Sequence, residues 1–296
     1  MEIDKDILFK LMSFGCNIFK NELLSKHCSF KIGGPADYFI EIPNEAALSL
    51  FLKNIDSDNF FILGSGTNVL FSDNGYRGIV ISLVDKFKKI SVCGEDISCG
   101  SGALLSNVLS TAVENHLTGL EFAAGIPGSV GGAVYGNAGL RNKWIDSILK
   151  RVSIYKNSEK MWVERENIVF SYRKSNLENS IISEVCFSLQ KVLKNDSLAA
   201  ISENVQRRIM TQPLNFPNAG SIFKNPKNFS AGKLVEGAGL KGICCGGAQI
   251  SDLHGNFIVN KGGASAEDVL SLIGLIKGKV FEYFNIKLET EIKIIK

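Results

Sequence analysis

The chain has 296 residues, 45% hydrophobic and 21% charged, and its 33 basic and 30 acidic residues leave a formal net charge of +3. This is ordinary composition for a folded chain of about two domains, so it excludes wholesale disorder, and the absence of a long basic run argues against a nucleic-acid partner. Seven cysteines (Cys16, Cys28, Cys93, Cys99, Cys186, Cys244, Cys245), odd in number and without a CxxC pair, exclude a disulfide framework and point to a reducing, cytoplasmic setting.

The first segment, MEIDKDILFKLMSF, reads as a helix rather than a secretory signal. Glu2, Asp4 and Asp6 precede its apolar residues, and Ile3, Ile7, Leu8, Leu11 and Met12 fall near one face. SFKIGGPADYFIEIP predicts two strands about a Gly-Gly-Pro turn, followed by a helix from Asn44 to Lys53. Phe60 to Leu63 reads as a short buried strand, and VLFSDNGYRGIVISL as two strands around an Asn-Gly turn. KKISVCGEDISCGSG predicts a hairpin and Ala103 to His116 a helix, after which RVSIY, KMWVERE and ISEVCFSLQKV add strands. Lys194 to Ser197 form a polar break before a helix from Leu198 to Met210. A last helix opens at Ser265 with Asp268 in capping-box spacing and carries Val269, Leu270, Leu272, Ile273, Ile276, Val280 and Phe281, and IKLETEIKII ends the chain as a strand. These elements predict an α+β protein in three regions, 1–84, 85–196 and 197–296. No apolar run approaches the ~20 residues of a membrane span.

Two glycine-rich stretches carry the chemistry. LGSGTNVL, residues 63–70, follows a buried strand and offers consecutive backbone N–H groups to an anion. It is not a Rossmann fingerprint, because position 69 is Val and strand rather than helix follows. EFAAGIPGSVGGAVYGNAG, residues 121–139, holds six glycines and one proline, a density that implies positive φ or close approach of a phosphorylated or flat ligand. Two such loops suit a long dinucleotide; tight turns and close helix packing are the plain alternative. The three histidines, His27, His116 and His254, lack ligand spacing, so no metal site is expected.

Taken together, FKIGGPADYFIEI, LGSGTNVLFSDNGYRGIVI, GLEFAAGIPGSVGGAVYGNAG, FSYRKS, NAGSIFKNP, AGKLVEGAGLKG, GGAQISDLHGNFIVN and the final ETEI make the chain resemble the UDP-N-acetylenolpyruvoylglucosamine reductases, flavoenzymes that complete UDP-N-acetylmuramate in peptidoglycan synthesis. The resemblance implies an FAD-binding fold of the vanillyl-alcohol-oxidase type, made of two α+β subdomains (1–84 and 85–196), with a substrate-binding domain at 197–296. It implies FAD as cofactor, with its pyrophosphate at Gly64, Ser65, Gly66, Thr67 and Asn68, and its flavin along Gly125, Ile126, Pro127, Gly131, Gly132 and Val134. NADPH is the implied hydride donor and UDP-N-acetylglucosamine enolpyruvate the acceptor.

By the same resemblance Arg173 grips the substrate carboxylate, Ser221 donates the proton, and Glu291 helps polarise the carboxyl group. Lys224 and Asn225 are the implied substrate-binding residues, although Asn225 reads from the residues alone as structural. Alternation in IKLETEIKII puts Glu291 on the solvated face with Lys287, Glu289 and Lys293, so only the resemblance makes it functional; Glu289 is the fallback. Little chain separates Arg173 from ISEVCFSLQ, which resembles the shorter subclass lacking a tyrosine loop. NAGLRNKWID departs from the usual NAGAYG, which opens the question of contacts after Gly139. Another flavin oxidoreductase on this scaffold and a nucleotide-sugar-binding relative without chemistry stay as alternatives.

Overall fold

The computed structural model describes residues 3–140, 143–156, 158–192 and 194–296. Its contacts gather into two units. Met1–Lys20, Tyr38–Ser65 and Gly78–Arg207 form the first, and Asn21–Asp37, Gly66–Arg77 and Arg208–Lys296 the second. The α-helices among the described residues are α1 Lys5–Ser13, α2 Glu45–Asn54, α3 Leu105–Glu114, α4 Val130–Tyr135, α5 Lys194–Thr211, α6 Ala231–Gly237 and α7 Ala266–Phe284. None of them is long and apolar enough to cross a membrane.

The first unit is organised by a five-stranded antiparallel sheet in the order Glu159–Glu164, Leu149–Lys156, Ile181–Ser188, Asp96–Gly100, Ile90–Cys93. Its inner strands are rich in β-branched and aromatic residues, and Val152, Ile154, Val185 and Phe187 are buried with Val108, Val130 and Val134 of α3 and α4 in one apolar cluster. The outer strand Glu159–Glu164 is mostly exposed, as a charged edge strand should be. A second cluster gathers Leu8 and Leu11 of α1, Ala47, Leu48 and Phe51 of α2, and Ile40, Ile42, Ile79 and Ile81. Asn44 caps α2 by accepting from the Ala47 N–H at 3.0 Å.

In the second unit α7 lies against an antiparallel sheet of Cys244–Cys245, Ala248–Ile250 and Ile258–Asn260. The expected capping box at Ser265 and Asp268 is present. Asp73 reinforces it from outside the helix, accepting from the N–H groups of Ala266 and Glu267 at 2.8 and 3.2 Å, so the first turn's donors meet carboxylates on two sides.

Several boundaries differ from the sequence-based expectation. The first strand is Asn17–Leu23, not the SFKI stretch, whose Phe30 and Ile32 are nonetheless buried. Val69–Phe71 and Tyr76–Leu83 are both strands but not hairpin partners: the former pairs in parallel with Lys293–Ile295, and the latter in parallel with Phe60–Ile62. Long-range partners therefore override the local Asn-Gly turn. The helix expected from Leu198 begins at Lys194 and absorbs the polar break, because Ser197 is buried and bonded rather than solvated. Met12 and Phe281, assigned to apolar faces, are 52% and 45% exposed. IKLETEIKII is a strand only over its last residues, Lys293–Ile295. Glu2, Arg141 and Asn142 lie outside the described residues.

Candidate active site

In the first unit the two glycine stretches meet. A Cβ on Gly64 would lie 2.4 Å from Ser129 Oγ, and one on Gly131 would lie 2.9 Å from the Ser101 Cβ, so a side chain at either position would force its neighbour to shift. Gly125 and Gly128 take positive φ angles of 74° and 140°. Gly131 N–H donates to Ser101 O at 2.8 Å and Gly132 N–H to Ser129 Oγ at 3.3 Å, so these two supply clearance rather than donors for a ligand. Among the described residues no protein group accepts from the N–H groups of Gly64, Ser65, Gly125 or Gly128. Gly125, Pro127 and Gly132 are exposed and Ile126 half-buried, whereas Val134 is fully buried in the core. A glycine-rich backbone strip edged by open N–H groups fits a flat ring with phosphates, which is the shape and charge of FAD.

The end of this segment holds the hairpin that carries Arg173. Phe170–Ser171 pairs with Lys174–Ser175, leaving Tyr172 and Arg173 as the turn, with Arg173 at φ +59°. Three bonds tie it to the glycine segment. Ser175 Oγ donates to Tyr135 O at 2.8 Å, Asn137 Nδ2 to Ser171 O at 3.3 Å, and Arg173 Nη1 to Gly139 O at 3.3 Å. Asn137 is 4% exposed, and its Oδ1 also accepts from Asp146 N–H. Sequence reading missed Ser129 and Asn137, whose roles depend on partners far along the chain.

At the other end of the segment Glu121 is nearly buried. Its carboxylate accepts from Thr118 Oγ1 at 2.7 Å, Gly119 N–H at 3.0 Å and Ser197 Oγ at 3.1 Å, and its carbonyl accepts from Asn204 Nδ2. Burial alone would raise its pKa, but these donors outweigh it and hold the carboxyl below the ordinary value of 4.5. A depressed carboxylate pKa contributes stability above the unfolded value that is lost as pH falls through the folded one. Glu121→Ala is therefore expected to lower the unfolding free energy measured by urea titration at neutral pH by about 1–3 kcal/mol. The gap should be full above pH 4.5 and narrow as the medium is acidified below it. An equal gap at every pH would assign the loss to packing instead of the charge.

The second unit gathers the remaining candidates. Gly66 sits at φ +63°, and its carbonyl accepts from Ser29 N–H at 3.0 Å. Ser29 Oγ donates to Asn218 O at 2.6 Å, which ties the loop of Gly66, Thr67 and Asn68 to the NAGS segment. Asn218 Oδ1 accepts from Gly220 N–H at 2.9 Å and so shapes the turn before Ser221, where Gly220 has φ +76°. Glu291 N–H donates to Ile222 O at 2.8 Å, and Asn68 Nδ2 donates to Glu291 O at 3.2 Å. Asn68, Ser221 and Glu291 are thus brought together. Glu291 is half-buried where the fallback Glu289 is exposed, because Phe223 bridges Thr290 and turns this stretch onto the core. Lys224 Nζ pairs with the Glu289 carboxylate, and Asn225 Oδ1 accepts from Ala231 N–H at 2.9 Å. Arg173 belongs to the first unit; Ser221, Lys224, Asn225 and Glu291 belong to the second.

The fold and its glycine loops define a flavin-binding oxidoreductase scaffold of the vanillyl-alcohol-oxidase type, and the cofactor is FAD. A family model described as an FAD binding domain matches residues 36–154. A berberine bridge enzyme aligns over 66% of this chain and 45% of its own at TM-score 0.51 and 19% identity, a likeness of fold alone. Residues 212–295 match the model of the UDP-N-acetylenolpyruvoylglucosamine reductase C-terminal domain. The reductase of Clostridium novyi is 43% identical over 284 residues, 94% of this chain and 92% of that protein. The crystal structure of the Thermus caldophilus reductase covers 95% of this chain and 100% of its own, at TM-score 0.85 and 34% identity. The chain belongs to the UDP-N-acetylenolpyruvoylglucosamine reductase family.

Proposed function

We propose that the protein works in the cytoplasm and reduces UDP-N-acetylglucosamine enolpyruvate to UDP-N-acetylmuramate at the expense of NADPH, with Arg173, Ser221 and Glu291 acting on the substrate. The observation that carries the reading is the cluster in the second unit, where backbone bonds hold Ser221 and Glu291 beside Asn68 of the phosphate loop. Residues 1–84 and 85–196 would hold the cofactor and 197–296 the substrate. Bound FAD supplies a two-electron relay, accepting hydride from NADPH and returning it to the terminal vinyl carbon of the acceptor.

The residues of the chain do the rest. Gly64 to Asn68 bind the pyrophosphate, and the strip from Gly125 to Gly132 orients the ring by clearance. Hydride addition at the vinyl terminus leaves an electron pair on the carbon next to the carboxylate. Arg173, a planar guanidinium, stabilises that charge through the carboxylate oxygens, and Glu291 orients the same group. Ser221 Oγ–H donates its proton to the carbon bearing the electron pair, and water restores the hydroxyl proton. One hydride and one proton enter per double bond, and NADP⁺ leaves. Lys224 contacts the diphosphate once it exchanges Glu289 for substrate, and Asn225 keeps the neighbouring backbone in place.

The test is a purified holoprotein assayed with NADPH. The expected result is a yellow protein whose NADPH oxidation depends on the enolpyruvyl sugar nucleotide and yields UDP-N-acetylmuramate in equal amount. Flavin that NADPH reduces but this substrate does not reoxidise would favour a different flavin oxidoreductase. Protein without flavin absorbance, and unable to take FAD up, would favour a binding relative.

A further inference from the structure

The departure after Gly139 places an indole against Arg173. Gly139 and Trp144 are cross-strand partners in the hairpin of Gly139–Leu140 and Lys143–Trp144. Only glycine permits this packing, since a Cβ at Gly139 would lie 2.3 Å from Trp144 Cε3. The indole thus covers the residue whose carbonyl accepts from Arg173 Nη1. Its ring centroid is 5.5 Å from the guanidinium carbon, and that of Tyr172 is 5.6 Å from it. The two rings meet edge to face, 5.7 Å apart at 87°, so they form a rigid corner around the guanidinium.

We propose that Trp144 is a positioning residue for Arg173. This rests on the reading of Arg173 as the group that grips the substrate carboxylate. An arginine side chain is rotamer-rich, and a guanidinium left to wander must be ordered each time substrate arrives. Here the indole on one side, Tyr172 on another and the Gly139 carbonyl at Nη1 order it beforehand. Arg173 sits at φ +59°, at the tip of the two-residue turn between Phe170–Ser171 and Lys174–Ser175, so the turn directs where its side chain leaves the backbone. Cation–π contact within about 6 Å adds to that ordering at the guanidinium itself. The indole packs on Gly139, Tyr172 and Arg173, and its influence is expected on the step that uses Arg173, substrate reduction.

The experiment compares Trp144→Leu, Trp144→Phe and Arg173→Lys holoenzymes in the two half-reactions by stopped-flow absorbance. Trp144→Leu is expected to slow reoxidation by the enolpyruvyl substrate about tenfold while flavin reduction by NADPH stays within about twofold, and Trp144→Phe, which keeps a ring, to recover most of the loss. Equal slowing of both half-reactions, or wild-type reoxidation in Trp144→Leu while Arg173→Lys is slow, would overturn the proposal. Wild-type reoxidation in Arg173→Lys would instead sink the reading of Arg173 itself. The chain has two tryptophans, so in a Trp162→Phe background the remaining indole reports the contact without catalysis. There Arg173→Lys is expected to shift its emission, and an unchanged spectrum would count against the contact even if Trp144→Leu does not fold.

Discussion

Replacing Ser221 by alanine is expected to leave flavin reduction by NADPH within about twofold of wild type and to slow reoxidation by the enolpyruvyl substrate by roughly 10²–10⁴-fold, the span that positioned general acids contribute. The asymmetry follows from the chemistry of the two steps. Hydride transfer from NADPH to the flavin needs no proton from this hydroxyl, whereas the carbanion formed beside the carboxylate must acquire one. A serine hydroxyl is a weak acid, so it is suited to the task only against a strongly basic carbon held at fixed range. What fixes the hydroxyl is the backbone of its turn. Gly220 at φ +76° and the Asn218 side chain shape the turn before Ser221, and Ile222 O holds Glu291 N–H directly after it. A methyl in place of the hydroxyl disturbs none of these bonds, so the variant should fold, bind FAD and accumulate reduced flavin when mixed with both substrates. Stopped-flow absorbance separates the steps. Wild-type reoxidation by Ser221→Ala would assign the proton to another donor, and parallel slowing of both steps would mean that the cofactor had moved.

Much of this arrangement was legible in the sequence, and the parts that were not share a physical cause. The starts of α2 and α7 were readable because caps are local: Asn44 and Ser265 sit where their own following residues demand them. The glycine density of 121–139 was readable because close approach removes side chains whatever the fold. Glu291 was not readable by alternation, since its half-burial comes from a bridge between Phe223 and Thr290, residues far apart in sequence. Val69–Phe71 likewise finds its partner at Lys293–Ile295, and no turn signal marks a parallel pairing of that span. Glu121 and Ser197 illustrate the same limit with polar groups. Ser197 reads as part of a polar break, yet it is buried with its hydroxyl donating to the Glu121 carboxylate, which also accepts from Thr118 and Gly119.

Gly66→Ala is expected to yield folded protein that loses its yellow colour, with FAD affinity lowered by about 10²-fold. Two costs combine at this position. Gly66 has φ +63°, where an L-residue is disfavoured by roughly 1–2 kcal/mol. A Cβ there would also lie 2.2 Å from His27 O and 2.7 Å from Cys28 Cα, both backbone atoms that cannot swing aside as a side chain would. Relieving that overlap means shifting the loop, at a further cost of about 1–3 kcal/mol, and together these approach the ~2.7 kcal/mol that corresponds to a hundredfold in affinity. The carbonyl of Gly66 is pinned by Ser29 N–H, so the loop has to give at its N–H face, the side proposed to take the phosphate oxygens. Gly94→Ala separates the two costs, because Gly94 has the same φ of +63° but nothing within 4 Å of its Cβ position. That variant should lose a little stability and keep a full complement of flavin. Titration of the apoprotein with FAD, followed by quenching of flavin fluorescence, measures both. If Gly66→Ala binds FAD as tightly as Gly94→Ala, the loop does not carry the pyrophosphate, and the donors must come from Gly125, Gly128 and their neighbours alone.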